Sequence, residues 1–497
     1  MLSSESENSF RRKINLKNFQ NFLIIYIVLL CFISDLFPQQ DHNQLISGID
    51  KIISDPFFEQ TIVALDIFDL TDSVSIFQKN EKLLLRPASN MKLLTSAAAL
   101  MYLGKDYYFK TELFHTGVIE GNTLYGDLYV VGGFDPDFSA TDLDSFVNAI
   151  NSLGIKEITG GIYGDISKKD SLYWGRGWMW DDDPDATAPY LSSLNINNNV
   201  IKVFVEGSTV DSPAVVTTTP KTDFVKIKNN CLTVSANSSE DYFVTRDWVD
   251  KQNTILVEGK IRKSSIIDSA EHTTKLNILY PDKYFLTLFL EKLIDIGIKV
   301  DKPIQTVKLP DNAVYLKSIN RPIDDVLFDL NKETDNLNGE MLIYAMAFND
   351  SGAPAAEVNG LANIKKLIDI LGYDSNNFSI ADGSGVSHYN LVSAELLNKL
   401  LGYMYYERKD LFDLFYESLP IAGVDGTLKN RMKNTSAENN VHAKTGTLNG
   451  VSNLSGYLTS KNGHLISFSI LIQNFVKEYS VARDFQNKIC ELLAEYE

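Results

Sequence analysis

Three short motifs follow one another along the chain, and each carries side chains suited to acyl transfer: Ser89-x-x-Lys92, Thr334-Asp335-Asn336 and Lys444-Thr445-Gly446. A serine hydroxyl is a weak nucleophile until a neighbouring base takes its proton. Residues three apart on a helix share a face, so Lys92 can reach the Ser89 oxygen. A lysine that serves as a base near neutral pH must have a lowered pKa. Burial and a second cation both lower it, and Lys444 is the candidate second cation. A helix opening at the serine places partial positive charge where an oxyanion would form. The backbone N–H groups of Ser89 and of Thr447, just past the third motif on an edge strand, are the candidate oxyanion donors, each typically worth about 2.7–4 kcal/mol. Lys444 and Thr445 suit a substrate carboxylate, and Gly446 lets a substrate backbone approach the strand. Taken singly, each motif is common: Ser89 then reads rather as a helix cap and Lys92 as a solvated lysine. Their order, and the elements around them, favour the catalytic reading.

Those elements are legible. Gln60 to Leu70 and Ser73 to Gln78 are strand-like and joined by a Thr-Asp turn. Pro87 and the Ala-rich run to Leu100, with no breaker before Gly104, predict a buried helix opening near Ser89. From about 106 to 310 short β-branched runs alternate with Gly, Asn and Asp turns, which predicts mostly strands. Within it Val200 to Gly207 and Thr254 to Ile261 bracket one compact β unit, and Lys283 to Ile296 is an amphipathic helix. Helical spacing returns over Asp324 to Asn331, Asn338 to Asn349, Leu361 to Leu371 and Ala394 to Tyr406. Val451 to Tyr457 and His464 to Gln473 form a hairpin about Asn462-Gly463, and Glu478 to Glu497 is a terminal helix. Matching strands and helices at both ends predict one domain split by an insertion.

Ahead of this lies an address. Arg11, Arg12, Lys13 and Lys17 precede twelve uninterrupted apolar residues, Phe22 to Ile33, which is the pattern of an export signal. Such a run rises only about 18 Å as a helix, short of a bilayer core of about 30 Å. A cleaved leader, an uncleaved anchor tethering the protein to the membrane, and a lipoprotein all place the remaining chain outside the cytoplasm, in the periplasm or on the outer face of the cytoplasmic membrane. The net charge of −18 excludes a protein that grips a phosphate backbone through a basic face. A hydrophobic fraction of 44% excludes wholesale disorder. The three cysteines, Cys31, Cys231 and Cys490, cannot build a disulfide framework, though the last two could pair. The six histidines fall in no zinc motif, so no cofactor or metal is expected.

Longer strings narrow the reading. They are Pro87-Ala88-Ser89-Asn90-Met91-Lys92-Leu93; Gly175-Arg176-Gly177-Trp178 with Trp180-Asp181-Asp182; Ala188-Pro189-Tyr190; Ser193-Leu194-Asn195; Asp382-Gly383-Ser384-Gly385-Val386-Ser387; Leu419 to Leu428; and Ala443 to Ser452. Through them the chain resembles the class C low-molecular-mass penicillin-binding proteins, the D-Ala-D-Ala carboxypeptidase/endopeptidase family, over nearly all the mature chain. The motif set is shared with class A β-lactamases.

The resemblance implies an α/β fold. It consists of a transpeptidase/β-lactamase-like domain, a five-stranded antiparallel sheet flanked by helices, with two mainly β inserted domains. The divisions are 1–38 for the leader, 39–105 and 311–497 for the catalytic domain, 106–200 and 262–310 for one insert, and 201–261 for a nested one. Residue by residue it implies Ser89 as the acylated nucleophile, Lys92 as its base, and Asn336 as a hydrogen-bond partner of the substrate amide. It implies Lys444, Thr445, Gly446 and Thr447 as the carboxylate and oxyanion site. Thr334 stands where the family has serine; its hydroxyl could relay a proton between Lys92 and the leaving amine, while its methyl stiffens χ1 and crowds the cleft. His388 stands where an arginine is expected, and Asp382 to Gly385 reads as a loop that closes the domain. The implied partners are peptidoglycan stem peptides, with β-lactams as covalent inhibitors. A serine β-lactamase and a silent peptidoglycan-binding scaffold are the rival readings. The first lacks an assignable deacylation glutamate, and the second rests only on Thr334.

Overall fold

A computed structural model describes residues 42–263 and 273–497. The apolar segment Phe22 to Ile33, with Cys31, lies outside the described residues.

Both ends of the described chain build one five-stranded sheet. Its order is His442–Leu448, Val451–Thr459, Leu465–Gln473, Ile62–Asp69, Val74–Lys79, and every neighbouring pair is antiparallel. The period of two along a strand decides what each face packs against. In Ile62–Asp69, Val63, Leu65 and Ile67 join the cluster formed with the helices at 42–53 and Tyr479–Ala494. Ile62, Ala64 and Phe68 turn to the other face, where the helices Met91–Leu103, Asn336–Ser351, Glu357–Ile370 and Ala394–Glu407 lie. Met91–Leu103 buries every residue from Met91 to Leu100, as its Ala-rich composition predicts, and ends at Gly104 in the left-handed region.

The insertion is more helical than its texture predicts. A second five-stranded sheet runs Gln305–Thr306, Ile162–Asp165, Leu128–Val131, Tyr108–His115, Val314–Pro322. A helix over Ala140–Ser152, which the turn-rich texture hides, opens with a capping box between Ser139 and Asp142. It buries Leu143, Phe146, Val147 and Ile150 at helical spacing. The amphipathic helix spans Pro281–Asp295.

Two boundaries move. The strand Val314–Pro322 pairs with Tyr108–His115, so it belongs to the insertion, and the return to the split domain falls near Ile323 instead of 311. The strand Thr273–Asn277 pairs with Val200–Glu206, so the nested unit reaches beyond 261. That unit is two three-stranded sheets: Val215–Thr219, Val200–Glu206 and Thr273–Asn277 in one, and Lys226–Val234, Thr254–Arg262 and Asp241–Arg246 in the other. The two bracketing strands therefore fall in different sheets. Arg246, fully buried, joins them by bonding Asn277 of the first sheet and Asp183 of the insertion.

Two smaller expectations change as well. The helix predicted over Asp324 to Asn331 is Ile323–Phe328 followed by one π-turn, Asp329–Glu333, widened just before the second motif. A further helix, Lys409–Glu417, follows Ala394–Glu407. Cys231 and Cys490 are buried free thiols in separate cores and do not pair. Among the described residues no helix is long and apolar enough to cross a membrane.

Candidate active site

The three motifs converge at one edge of the split domain's sheet. Ser89 lies in a single 3₁₀ turn, Ala88–Asn90, that runs directly into Met91–Leu103. The turn is bolted to the sheet. Asn453 Nδ2 donates to the carbonyls of Arg86 (2.9 Å) and Pro87 (2.8 Å), and Asn90 Nδ2 donates to Ser455 Oγ (2.7 Å). Ala88, just before the serine, is held at φ +48°, a conformation that persists only where surrounding contacts enforce it.

Ser89 caps nothing. Its hydroxyl accepts from Lys92 Nζ at 3.1 Å. Lys92 is fully buried and donates also to Asn336 Oδ1 (2.5 Å) and to the Ser384 carbonyl (2.6 Å). Burial lowers its pKa to about 8, against the opposite pull of the carboxylates of Asp382, Asp335 and Glu340. The expected second cation is depressed as well. Lys444, also fully buried, is pushed well below the usual lysine value by burial and then by Lys92. Desolvation, not Lys444, is thus the main reason that Lys92 can carry a free amine.

Thr334 and Asn336 flank the cleft but divide between the two lysines. Lys444 Nζ donates to Thr334 Oγ1 at 2.8 Å and to the Thr445 carbonyl at 3.1 Å. Asn336 takes Lys92 on its oxygen and donates from Nδ2 to the Thr187 carbonyl at 2.6 Å. The Thr334 hydroxyl is thus bonded to Lys444 and not to Lys92. Thr334 closes the π-turn at φ +60° and ψ 35°, a left-handed conformation that a β-branched residue rarely adopts. Asp335 caps the helix Asn336–Ser351 by accepting from Asn338 N, and accepts from Asn198 Nδ2 of the insertion.

Gly446 also serves a close approach within the protein. A Cβ there would lie 2.7 Å from the Pro87 carbonyl and 2.9 Å from Asn90 Oδ1, so the glycine lets the edge strand press against the nucleophile turn. Ala443 N, on the outer side of the strand, donates to the Pro420 carbonyl. Alternation puts the N–H groups of Thr445 and Thr447 on that same outer edge.

Several contributors carried no assigned role in the sequence. The Ser384 carbonyl belongs to the string read as a closing loop; the loop abuts the nucleophile turn so tightly that a Cβ on Gly385 would meet the Ala88 carbonyl. Thr427 Oγ1 lies 2.8 Å from Thr445 Oγ1, and its string was visible without a role. Thr187 supplies only a carbonyl, for which no side-chain pattern exists. His388 is half-buried beside Asp182, whose carboxyl burial holds above its usual value against the opposing pull of the Met179 N–H and of His388. Away from the site, Asp69, Asp72 and His464 cluster at the other end of the central strands, where His464 Nδ1 lies 2.8 Å from Asp69 Oδ2.

The arrangement is a serine hydroxyl, a buried amine against it, a second lysine bonded to one hydroxyl and one carbonyl, and outward backbone donors on an edge strand. Comparison with known proteins gives the same direction. The family model described as D-Ala-D-Ala carboxypeptidase 3 (S13) family matches residues 45–496. A D-alanyl-D-alanine carboxypeptidase of Actinomadura sp. (strain R39) is 31% identical over 469 residues, covering 91% of this chain and 85% of that protein. D-alanyl-D-alanine carboxypeptidase DacB of Haemophilus influenzae is 28% identical over 404 residues, covering 81% of this chain and 82% of that one. The crystal structure of penicillin binding protein 4 (dacB) from Haemophilus influenzae superimposes with a TM-score of 0.78 at 24% identity, over 90% of this chain and 99% of that one. The two share one fold. Another structure of that protein is a complex with a β-lactam.

Proposed function

The chain belongs to the D-Ala-D-Ala carboxypeptidase 3 (S13) family and is a serine-type D-Ala-D-Ala carboxypeptidase; from that premise we propose that Ser89 is acylated by peptidoglycan stem peptides and, equally, by β-lactams. The observation that carries the assignment is the buried Lys92 amine 3.1 Å from the Ser89 hydroxyl.

Lys92 takes the hydroxyl proton as Ser89 Oγ bonds to the carbonyl carbon of the penultimate D-Ala. The N–H groups of Ser89 and Thr447 hold the developing oxyanion. Lys444, Thr445 and the adjoining Thr427 receive the terminal carboxylate, and the arriving anion favours the charged form of Lys444. Asn336 exchanges its bond to the Thr187 carbonyl for the substrate amide. The C–N bond breaks, and the leaving amine takes a proton from the lysine pair through the Thr334 hydroxyl. Water then hydrolyses the ester. In a β-lactam the broken C–N bond lies within the ring, so the leaving group stays tethered and the ester persists. Cleavage of a cross-link is the same chemistry with a different leaving amine. The leader exports the protein to the compartment that holds this substrate.

Mass analysis of products from uncross-linked and cross-linked muropeptides tests the assignment. Loss of one terminal D-Ala is expected from the first, and monomer release from the second would add endopeptidase action. Unchanged substrate in both would refute it.

Two further outcomes follow from the geometry. Lys92 must be neutral to act, and its pKa lies near 8, so the rate of penicillin acylation should rise about tenfold per pH unit below that value and level off above it. A rate flat from pH 6 to 9 would remove Lys92 as the base. Thr334→Ser keeps the hydroxyl that Lys444 bonds and relieves a β-branched residue of a left-handed backbone. Its kcat/KM for D-Ala release should equal or exceed the wild-type value, with a slightly higher melting temperature; a large loss of activity would give the methyl a function.

A further inference from the structure

Beyond Thr334 and Asn336 the active site continues into a groove of about 490 Å³ whose far wall belongs to the nested unit. Lys202 and Lys275 line that wall with Thr219. These three residues are register partners across one three-stranded sheet: Thr219 faces Lys202, and Lys202 faces Lys275. Directly opposite residues on antiparallel strands project from the same face with Cβ atoms about 5 Å apart, and like charges so placed repel. The strand Val200–Glu206 turns Ile201, Val203 and Val205 inward and leaves Lys202 exposed, so neither burial nor packing calls for a cation there. Among the described residues neither lysine has a salt-bridge partner. Nearer the catalytic end the groove is lined by Glu333 and Asp335. Its charge is therefore acidic beside the second motif and basic across the nested sheet.

We propose that the Lys202–Lys275 pair binds a stem-peptide carboxylate remote from the scissile bond, so that the nested unit selects anionic substrate. This rests on the muropeptide reading above. Glu333 repels a carboxylate at the near end and the lysines attract it at the far end, which fixes the direction in which the peptide lies. Asn198 reinforces the link between groove and chemistry: it lines the groove and donates to Asp335, the residue that caps the helix carrying Asn336.

The test pairs a double variant, Lys202→Ala with Lys275→Ala, with two muropeptides that share a free D-Ala-D-Ala terminus. One carries free stem carboxylates and the other carries them as amides. For the carboxylate substrate the variant should lose about tenfold in kcat/KM, mainly through KM, with the difference shrinking at high salt. For the amidated substrate it should match wild type within about twofold. Binding of both peptides to Ser89→Ala protein, with and without the lysine changes, gives the same comparison free of turnover, and Lys202→Glu should weaken the carboxylate peptide further. Equal effects on both peptides, or none on either, overturn the proposal. Penicillin acylation separates the two levels: normal acylation without discrimination between the peptides counts against the groove alone, whereas a wild-type protein that penicillin does not acylate counts against the nucleophile assignment.

Discussion

Ser89→Ala protein incubated with a fluorescent penicillin is expected to carry no covalent label, and its release of D-Ala from a muropeptide should fall by at least about 10⁴-fold. The loss is large because the hydroxyl is the only atom that can form the ester; what remains, the outward N–H groups and the binding lysines, can orient a water molecule but cannot replace the intermediate. The fold should not suffer. The one hydrogen bond lost is that from Lys92, which keeps Asn336 Oδ1 and the Ser384 carbonyl as acceptors. Intact-mass analysis of wild type and variant, with peptide mapping of the adduct and a thermal melt of each, reads all three consequences. An adduct on another residue, or retained release with an unchanged melt, would overturn the assignment.

Asp382→Ala should be the most damaging substitution for stability. The side chain is fully buried and accepts from five donors: Trp178 Nε1, Ser384 Oγ, Gly385 N, Ser387 N and Asn390 Nδ2, at 2.6–3.3 Å. Deleting it strands those donors in a site closed to water, a cost of about 3–5 kcal/mol. The consequence reaches the chemistry. The loop that Asp382 shapes supplies the Ser384 carbonyl to Lys92, and its Trp178 contact fastens the insertion to the split domain. A melting temperature lower by several degrees and slower penicillin acylation are expected together. Asp382→Asn, which keeps the volume and one acceptor oxygen, should lose less of both. A melt superimposable on wild type for the alanine variant would show that the loop is held by other means.

What the sequence disclosed and what it hid divide by the range of the forces involved. Ser89, Lys92, Thr334, Asn336 and Lys444 were legible because their chemistry demands particular side chains at particular spacings. The hairpin about Asn462-Gly463 and the buried helix after Ser89 were legible because turn chemistry and composition act locally. The helix Ala140–Ser152 is hidden although Leu143, Phe146, Val147 and Ile150 carry its period, because turn-forming residues surround it on both sides. Val314–Pro322 was assigned to the wrong domain because a strand's partner is chosen by tertiary packing, and Tyr108–His115 lies far away in sequence. The Ser384 and Thr187 carbonyls were invisible for a simpler reason: every residue has a carbonyl. The low pKa of Lys92 was foreseen, but that burial is its leading cause was not, since depth of burial cannot be read from spacing.

The pairing of Ile62–Asp69 with Leu465–Gln473 bears on how the protein comes to life. These neighbours in the sheet are synthesised near opposite ends of the chain. Contacts of such separation form late, because the entropy of closing the loop must be met before they contribute. The insertion's own sheet needs only partners between Tyr108 and Pro322 and is free to assemble first. A nascent chain that has already presented Ser89 and Lys92 still lacks Asn453 and Ser455, the residues that bolt the nucleophile turn in place, and lacks Lys444 altogether. Reactivity is thus deferred until the C-terminal hairpin docks, so an incomplete nascent chain holds a serine and a lysine but not an enzyme.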